Sequence, residues 1–214
     1  MAQVPYYGAY ARFTTPDKKI GATLMGSDNL VGDRYAIEFR VEGGNPVPWL
    51  RNRFGKPIGT VEGPEAQELA LCNARGWKVN AILASVCYSE QPEPGLYWGE
   101  VVLICYSKAD EEAFDTFVQG VGGMLAKGIR PQIDLGQSGY SRVVETKGSW
   151  LPETRQKQRT SKKGQAVIKN HRSFNEGMIE AARKKNPGCM AVGIAFDIVL
   201  VIAVVWLLKS LLGF

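Results

Sequence analysis

Cys189 to Leu208 is a run of 20 residues with one charged side chain, Asp197. At a helical rise of ~1.5 Å per residue it spans ~30 Å, the thickness of a bilayer's hydrocarbon core. Length and composition together predict a transmembrane helix, since a buried core helix usually keeps a polar stripe. Asn186-Pro187-Gly188 breaks whatever precedes the run. Trp206 suits an interfacial aromatic, and Lys209 can snorkel to the far headgroups. Arg183, Lys184 and Lys185 stand before the run and only Lys209 after it. The positive-inside rule then keeps the N-terminal part in the cytosol. Met1 to Lys19 lacks the apolar core of a signal peptide. The expected layout is single-pass and tail-anchored, with a span over 189–208 and a short tail over 209–214.

Asp197 falls eight residues into the run, ~12 Å deep at the helical rise. A carboxylate at that depth is costly unless it is protonated or partnered. Gly193, one turn earlier, lets a second helix approach. The two predict an intramembrane contact, within a homo-oligomer or with a partner's helix. The alternative is a single charge tolerated by local thinning of the bilayer. Leu151-Pro152-Glu153-Thr154-Arg155 resembles the LPxTG sorting signal of surface proteins. Arg155 replaces its glycine, the run begins far downstream, and no signal peptide precedes it, so the sorting reading is set aside.

Charge is unevenly spread. Residues 1–150 hold 15 Lys/Arg against 17 Asp/Glu, whereas residues 151–186 hold 10 against 3. A near-neutral domain is thus followed by a basic segment beside the expected membrane. Gln156 to Gln165 has almost no apolar residues and reads as a linker. Val167, His171, Phe174 and Met178 are spaced four, three and four apart, which predicts an amphipathic helix at the interface. Lys162, Lys163, Lys169, Arg172, Arg183, Lys184 and Lys185 are the candidate contacts to an anionic lipid surface. A solvated tether is the plain alternative.

Tyr35 to Glu42 alternates apolar and polar residues, the period of a half-buried strand. Gly63-Pro64 opens a helix whose Ala66, Leu69, Ala70, Ala74 and Trp77 share a face. Val79–Tyr88 and Leu96–Tyr106 are apolar strands joined by a turn rich in proline. Ser107 caps a helix with Phe114, Phe117, Val118, Val121, Met124 and Leu125 on one face, ended by Gly128. Ile129 to Leu135 reads as an edge strand, since Pro131 interrupts it.

The order β-α-β-β-α-β predicts an α+β fold, a ferredoxin-like split βαβ sandwich. It would occupy 35–150, after an N-terminal extension over 1–34 and before the basic linker and juxtamembrane helix over 151–188. The second and third strands are apolar on both faces, so the face away from the helices needs a cover. A second copy of the domain or a short helix over 138–148 could supply it.

No grouping commits to a chemistry. The cysteines Cys72, Cys87, Cys105 and Cys189 show no paired spacing and fit a reduced setting. His171 is the only histidine, and no metal-ligand cluster or dinucleotide fingerprint is present, so no metal or cofactor is expected. Gly120, Gly122 and Gly123 fall late in a helix, where close packing explains them better than phosphate binding. Tyr97-Trp98-Gly99 echoes an RNA-recognition strand, but Glu100, Val101 and Val102 break the pattern.

Trp49, Arg51, Arg53 and Phe54, in a long irregular stretch over 43–62, are the candidate partner-binding residues. The expected function is a non-enzymatic adaptor: a membrane-held domain that binds a protein partner or a copy of itself. A membrane-bound enzyme or small-ligand sensor using the 43–62 stretch is the alternative. A nucleic-acid or ribosome tether through the basic segment is a further one.

Overall fold

The structure, a computed structural model, describes residues 4–91, 94–157 and 163–183. The expected span 189–208, with Gly193 and Asp197, lies outside the described residues, as do Lys162, Lys184 and Lys185. Residues up to Arg172 form one unit and those from Ser173 a second.

In the first unit the strands are β1 (Tyr6–Thr14), β2 (Arg34–Glu42), β3 (Asn45–Arg51), β4 (Pro57–Val61), β5 (Lys78–Ser89), β6 (Leu96–Tyr106) and β7 (Gln165–Lys169). They pair in the order β2-β3-β4-β1-β6-β5, and β5 returns to β2 through Arg34↔Ile82 and Tyr35↔Ala81. The result is a closed six-stranded antiparallel barrel, and β7 extends it along the far half of β5. The expected ferredoxin-like sandwich is overturned. That arrangement is an open four-stranded sheet with helices on one face, whereas here six strands close on themselves through the β2–β5 pairing.

Three strands unforeseen in the sequence make the difference. β1, inside the stretch expected as an extension, lies between β4 and β6. Its Ala11 and Phe13 fill the lumen, and its Tyr10 packs on the outer face. β3 and β4 form within the stretch expected to be irregular. Pro46 and Pro48 fall in the half of β3 that pairs only with β2, and Pro57 begins β4. Those are positions where the missing amide breaks no ladder.

Alternation sorts the side chains into two apolar clusters. Phe13, Tyr35, Leu50, Ile58, Leu83 and Leu103 fill the lumen. Helix α2 (Pro64–Ala74) adds Leu69 and Cys72 to that cluster, and Leu24, just after α1 (Lys18–Thr23), joins it as well. Gly99 is required where Phe13 crosses it, because a Cβ there would stand 2.2 Å from the ring.

The outer face of β1, β5 and β6 carries Tyr10, Ile82, Val102 and Ile104. Phe114, Phe117, Val118, Val121 and Leu125 of α3 (Glu111–Ala126) cover it. Helix α4 (Gly136–Glu145), just where a short covering helix was expected, contributes Val143. The doubly apolar strands therefore have a lumen on one side and helices on the other, with no second copy needed.

Ile129 to Leu135 is not an edge strand. It crosses the outer face, with a single bridge from Pro131 to Arg155. The Tyr6 and Tyr10 hydroxyls hold it there, donating to Ile133 O at 2.8 Å and Pro131 O at 2.9 Å.

The expected amphipathic helix beginning at Ala166 is corrected too. Gln165–Lys169 is strand β7, placed on the stretch of β5 edge that β2 leaves open. Helix α5 (Phe174–Arg183) belongs to the second unit and starts only after Ser173. Ser173 and Glu176 cap it reciprocally, each accepting from the other's backbone N–H at 3.3 and 2.9 Å. Among the described residues no helix is long and apolar enough to cross a membrane.

Candidate functional site

The barrel has a covered half, β1-β6-β5 under α3, and a half whose outer face carries charge, β2-β3. On β2 and β3 the residues that do not enter the lumen include Glu38, Arg40, Trp49 and Arg51, because strand alternation turns them outward together. Arg51 bridges two elements: its Nε donates to Glu38 Oε2 and its Nη1 to Gly55 O at 2.7 Å. Arg40 Nε donates to the other Glu38 oxygen at 3.1 Å, and its guanidinium lies 4.4 Å from the centre of the Trp49 ring. The indole N–H of Trp49 reaches Glu42 Oε1 at 2.6 Å. Hydrogen bonds from Arg51 and then Arg40 hold the Glu38 carboxyl down at about 2. Two guanidiniums, two carboxylates and an indole are thereby held on one exposed face, each by its neighbour.

Only part of the expected partner-binding set shares this face. Trp49 and Arg51 do. Phe54 sits in the β3–β4 turn, half exposed, where Asn52 Oδ1 accepts from its N–H at 3.0 Å. Arg53 turns away, its Nη1 lying 3.7 Å from Asp33 Oδ1.

Asp33 belongs to a polar network that the sequence reading missed. Asn29, Asp33 and Asn52 are all buried. Asn29 accepts from the Tyr35 hydroxyl at 2.9 Å and donates to Thr23 O at 2.9 Å. Burial raises the Tyr35 phenol well above its ordinary value, so it stays a donor.

Two of the expected lipid contacts close this network. Lys169 Nζ donates to Asn29 O at 2.8 Å. Arg172 donates from Nε to Val31 O at 2.6 Å and from Nη2 to Asp33 Oδ1 at 3.0 Å. Their charged ends thus point into the barrel unit. Lys163 is exposed just before Gly164, and Arg183 falls in the last turn of α5.

A second feature is a cleft of about 420 Å³ beside α4, lined by Gln132, Asp134, Ser138, Arg142, Trp150 and Glu153 among others. Its charges are mixed, with Arg142 5.7 Å from the Trp150 ring centre. It contains no cysteine or histidine.

A third is a buried ion pair, Arg130 Nη2 to Glu100 Oε2 at 2.7 Å, on the outer face of the covered half. A signal for it did exist in the sequence. A carboxylate inside an otherwise apolar strand requires a charged partner.

None of this assembles a catalytic set. Cys72, Cys87 and Cys105 are buried free thiols. Burial pushes Cys87 up to about 11, and a hydrogen bond with Cys72, then burial, raises Cys105. None of the three is an exposed nucleophile. The His171 ring is engaged with Asn170 Oδ1 at 2.7 Å. Among the described residues no group of His, Cys, Asp and Glu could hold a metal ion. No protein-family model matches the chain, and no curated protein or solved structure matches it.

Proposed function

We propose that the chain is a non-enzymatic interaction module, held at a membrane by 189–208, whose barrel takes a protein partner on the outer face of β2 and β3. One observation carries the reading. The lumen is filled by Phe13, Tyr35, Leu50, Leu83 and Leu103, so whatever the barrel recognises is met on its outside. The β2–β3 face supplies arginine and tryptophan already held in place, the residue types that dominate binding energy at protein interfaces. Membrane tethering fits the same picture. Arg172 is tied into the barrel unit, so only residues 173–188 stand between that unit and the apolar run.

Site-specific photo-crosslinking in cells tests the partner face. A crosslinker at position 36 or 47, the cross-strand neighbours of Arg51 and Arg40 on that face, is expected to capture one discrete protein, and one at position 71, exposed on α2, is expected not to. The same adducts from all three positions would remove the proposed face. Membrane attachment has its own test. The full chain is expected to resist alkaline extraction, and a chain lacking 189–208 is expected to be released by it.

The 420 Å³ cleft supports a small-ligand reading at a different place from the 43–62 stretch expected to serve one, since its volume falls within the range of ordinary ligand pockets. Fluorescence of Trp150 against a metabolite panel, with Arg142→Ala as control, would reveal such a ligand.

A further inference from the structure

Arg130 is more than nine-tenths buried, yet only one of its three guanidinium nitrogens has an acceptor, the Nη2 paired with Glu100. Nε and Nη1 are buried with no hydrogen-bond partner among the described residues. The same is true of the indole Nε1 of Trp98. An unpaired buried donor forfeits its hydrogen bond to water without replacement, at a greater cost when it is charged. Three together on one surface are a consistent demand for an acceptor.

The sheet register places them on that surface. Arg12, Glu100 and Ser85 form one cross-strand row on β1, β6 and β5, and Thr14, Trp98 and Cys87 form the next. Alternation turns both rows outward. Arg130 reaches this patch from beyond the end of α3, with its guanidinium 4.3 Å from the centre of the Tyr10 ring. Arg12 lies over the Trp98 ring at 4.2 Å and is itself exposed, so it can move aside. Arg12, Arg130 and Glu100 sum to a single positive charge. The nearby Cys87 does not supply the missing anion, because burial keeps its thiol protonated.

We propose that the patch formed by Arg12, Trp98 and Arg130 binds a carboxylate. Donors without acceptors call for oxygen acceptors. One surplus positive charge is matched by a monoanion, whereas a phosphate dianion would leave a net negative charge beside buried groups. The planar guanidinium also suits a planar carboxylate. This site lies on β1 and β6, away from the β2–β3 face, and stands or falls independently of the partner proposed there.

The test uses the full chain in detergent micelles, with indole ¹⁵N labels and the Trp98 signal assigned by its loss in Trp98→Phe. Sodium acetate is titrated against sodium chloride at constant ionic strength, and inorganic phosphate in a parallel arm. The expected result is a saturable millimolar shift of the Trp98 indole resonance with acetate and a weaker response to phosphate. Arg12→Gln keeps the buried pair intact and is expected to weaken acetate about tenfold, the loss of one charge-assisted contact. Arg130→Gln risks unfolding, since it strands Glu100, so the outcome rests on Arg12→Gln. A Trp98 signal unmoved by acetate would assign the buried donors to water and overturn the proposal. So would a response to phosphate stronger than to acetate, or an acetate response unchanged in Arg12→Gln.

Discussion

The two halves of the barrel use the same antiparallel ladder for opposite ends. In β5 and β6 nearly every side chain between Ala81 and Tyr106 on the strands is buried, because a filled lumen lies on one side and α3 on the other. In β2 and β3 apolar residues enter the lumen, while Glu38, Arg40, Trp49 and Arg51 face out and satisfy one another. Stability is concentrated where both faces are dry. Recognition has room where one face is wet, and substitutions in the two halves should separate the two properties.

The largest effect is expected from Phe117→Ala, which empties the contact between α3 and the outer sheet. A fully buried phenylalanine in this position should cost about 3–5 kcal/mol in urea unfolding of the full chain in detergent. A loss below about 1 kcal/mol would mean that the helical cover is not what stabilises the covered half.

Gly99→Ala comes next. Its Cβ would stand 2.2 Å from the Phe13 ring, and overpacking of this kind costs about 1–3 kcal/mol. The same unfolding measurement reads it, and an unchanged midpoint would show that the lumen has slack at this point.

Arg172→Met probes the seam between the basic segment and the barrel. It leaves the buried Asp33 without its closest cation, though Arg53 and the Leu30 N–H remain. The expected loss is about 1–2 kcal/mol, with faster hydrogen exchange at residues 29–33. Exchange unchanged at those amides would detach β7 and Arg172 from any role in holding that loop.

On the charged face Trp49→Ala should change stability by less than about 0.5 kcal/mol while abolishing the crosslinked partner. Loss of stability together with loss of the partner would blur the proposed division of labour.

The smallest effect is on pH dependence. Glu38 is held at about 2 against an ordinary value of 4.5, so its contribution is complete above 4.5 and fades as pH falls toward 2. Carboxyl carbon chemical shifts should show Glu38 still ionised at pH 3. Titration in the ordinary carboxylate range would mean that the Arg40 and Arg51 contacts do not persist in solution.

Sequence alone determined the elements whose pattern is local. The alternation from Tyr35 to Glu42, Pro64 at a helix start and the apolar face from Phe114 to Leu125 all specify their structures through neighbours within a few residues. It also singled out Trp49 and Arg51 by residue type. Tertiary structure decided everything that depends on distant pairing.

β1 is apolar or aromatic toward both sides from Tyr6 to Ala11, so that stretch shows no alternation until β4 and β6 flank the strand and α3 covers the adjoining outer sheet. β3 and β4 contain prolines that read as loop until their partners leave those amides unneeded. Val167 falls on a short segment that satisfies helical and strand spacing alike, and the open edge of β5 chose strand. Arg53 and Arg51 are near neighbours in sequence, yet one meets Asp33 and the other Glu38. Lys169 and Arg172, basic residues expected to face lipid, instead satisfy carbonyls and a carboxylate well over a hundred residues earlier in the chain. Strand pairing and buried polar satisfaction are set by which groups meet after closure, and no local periodicity records that.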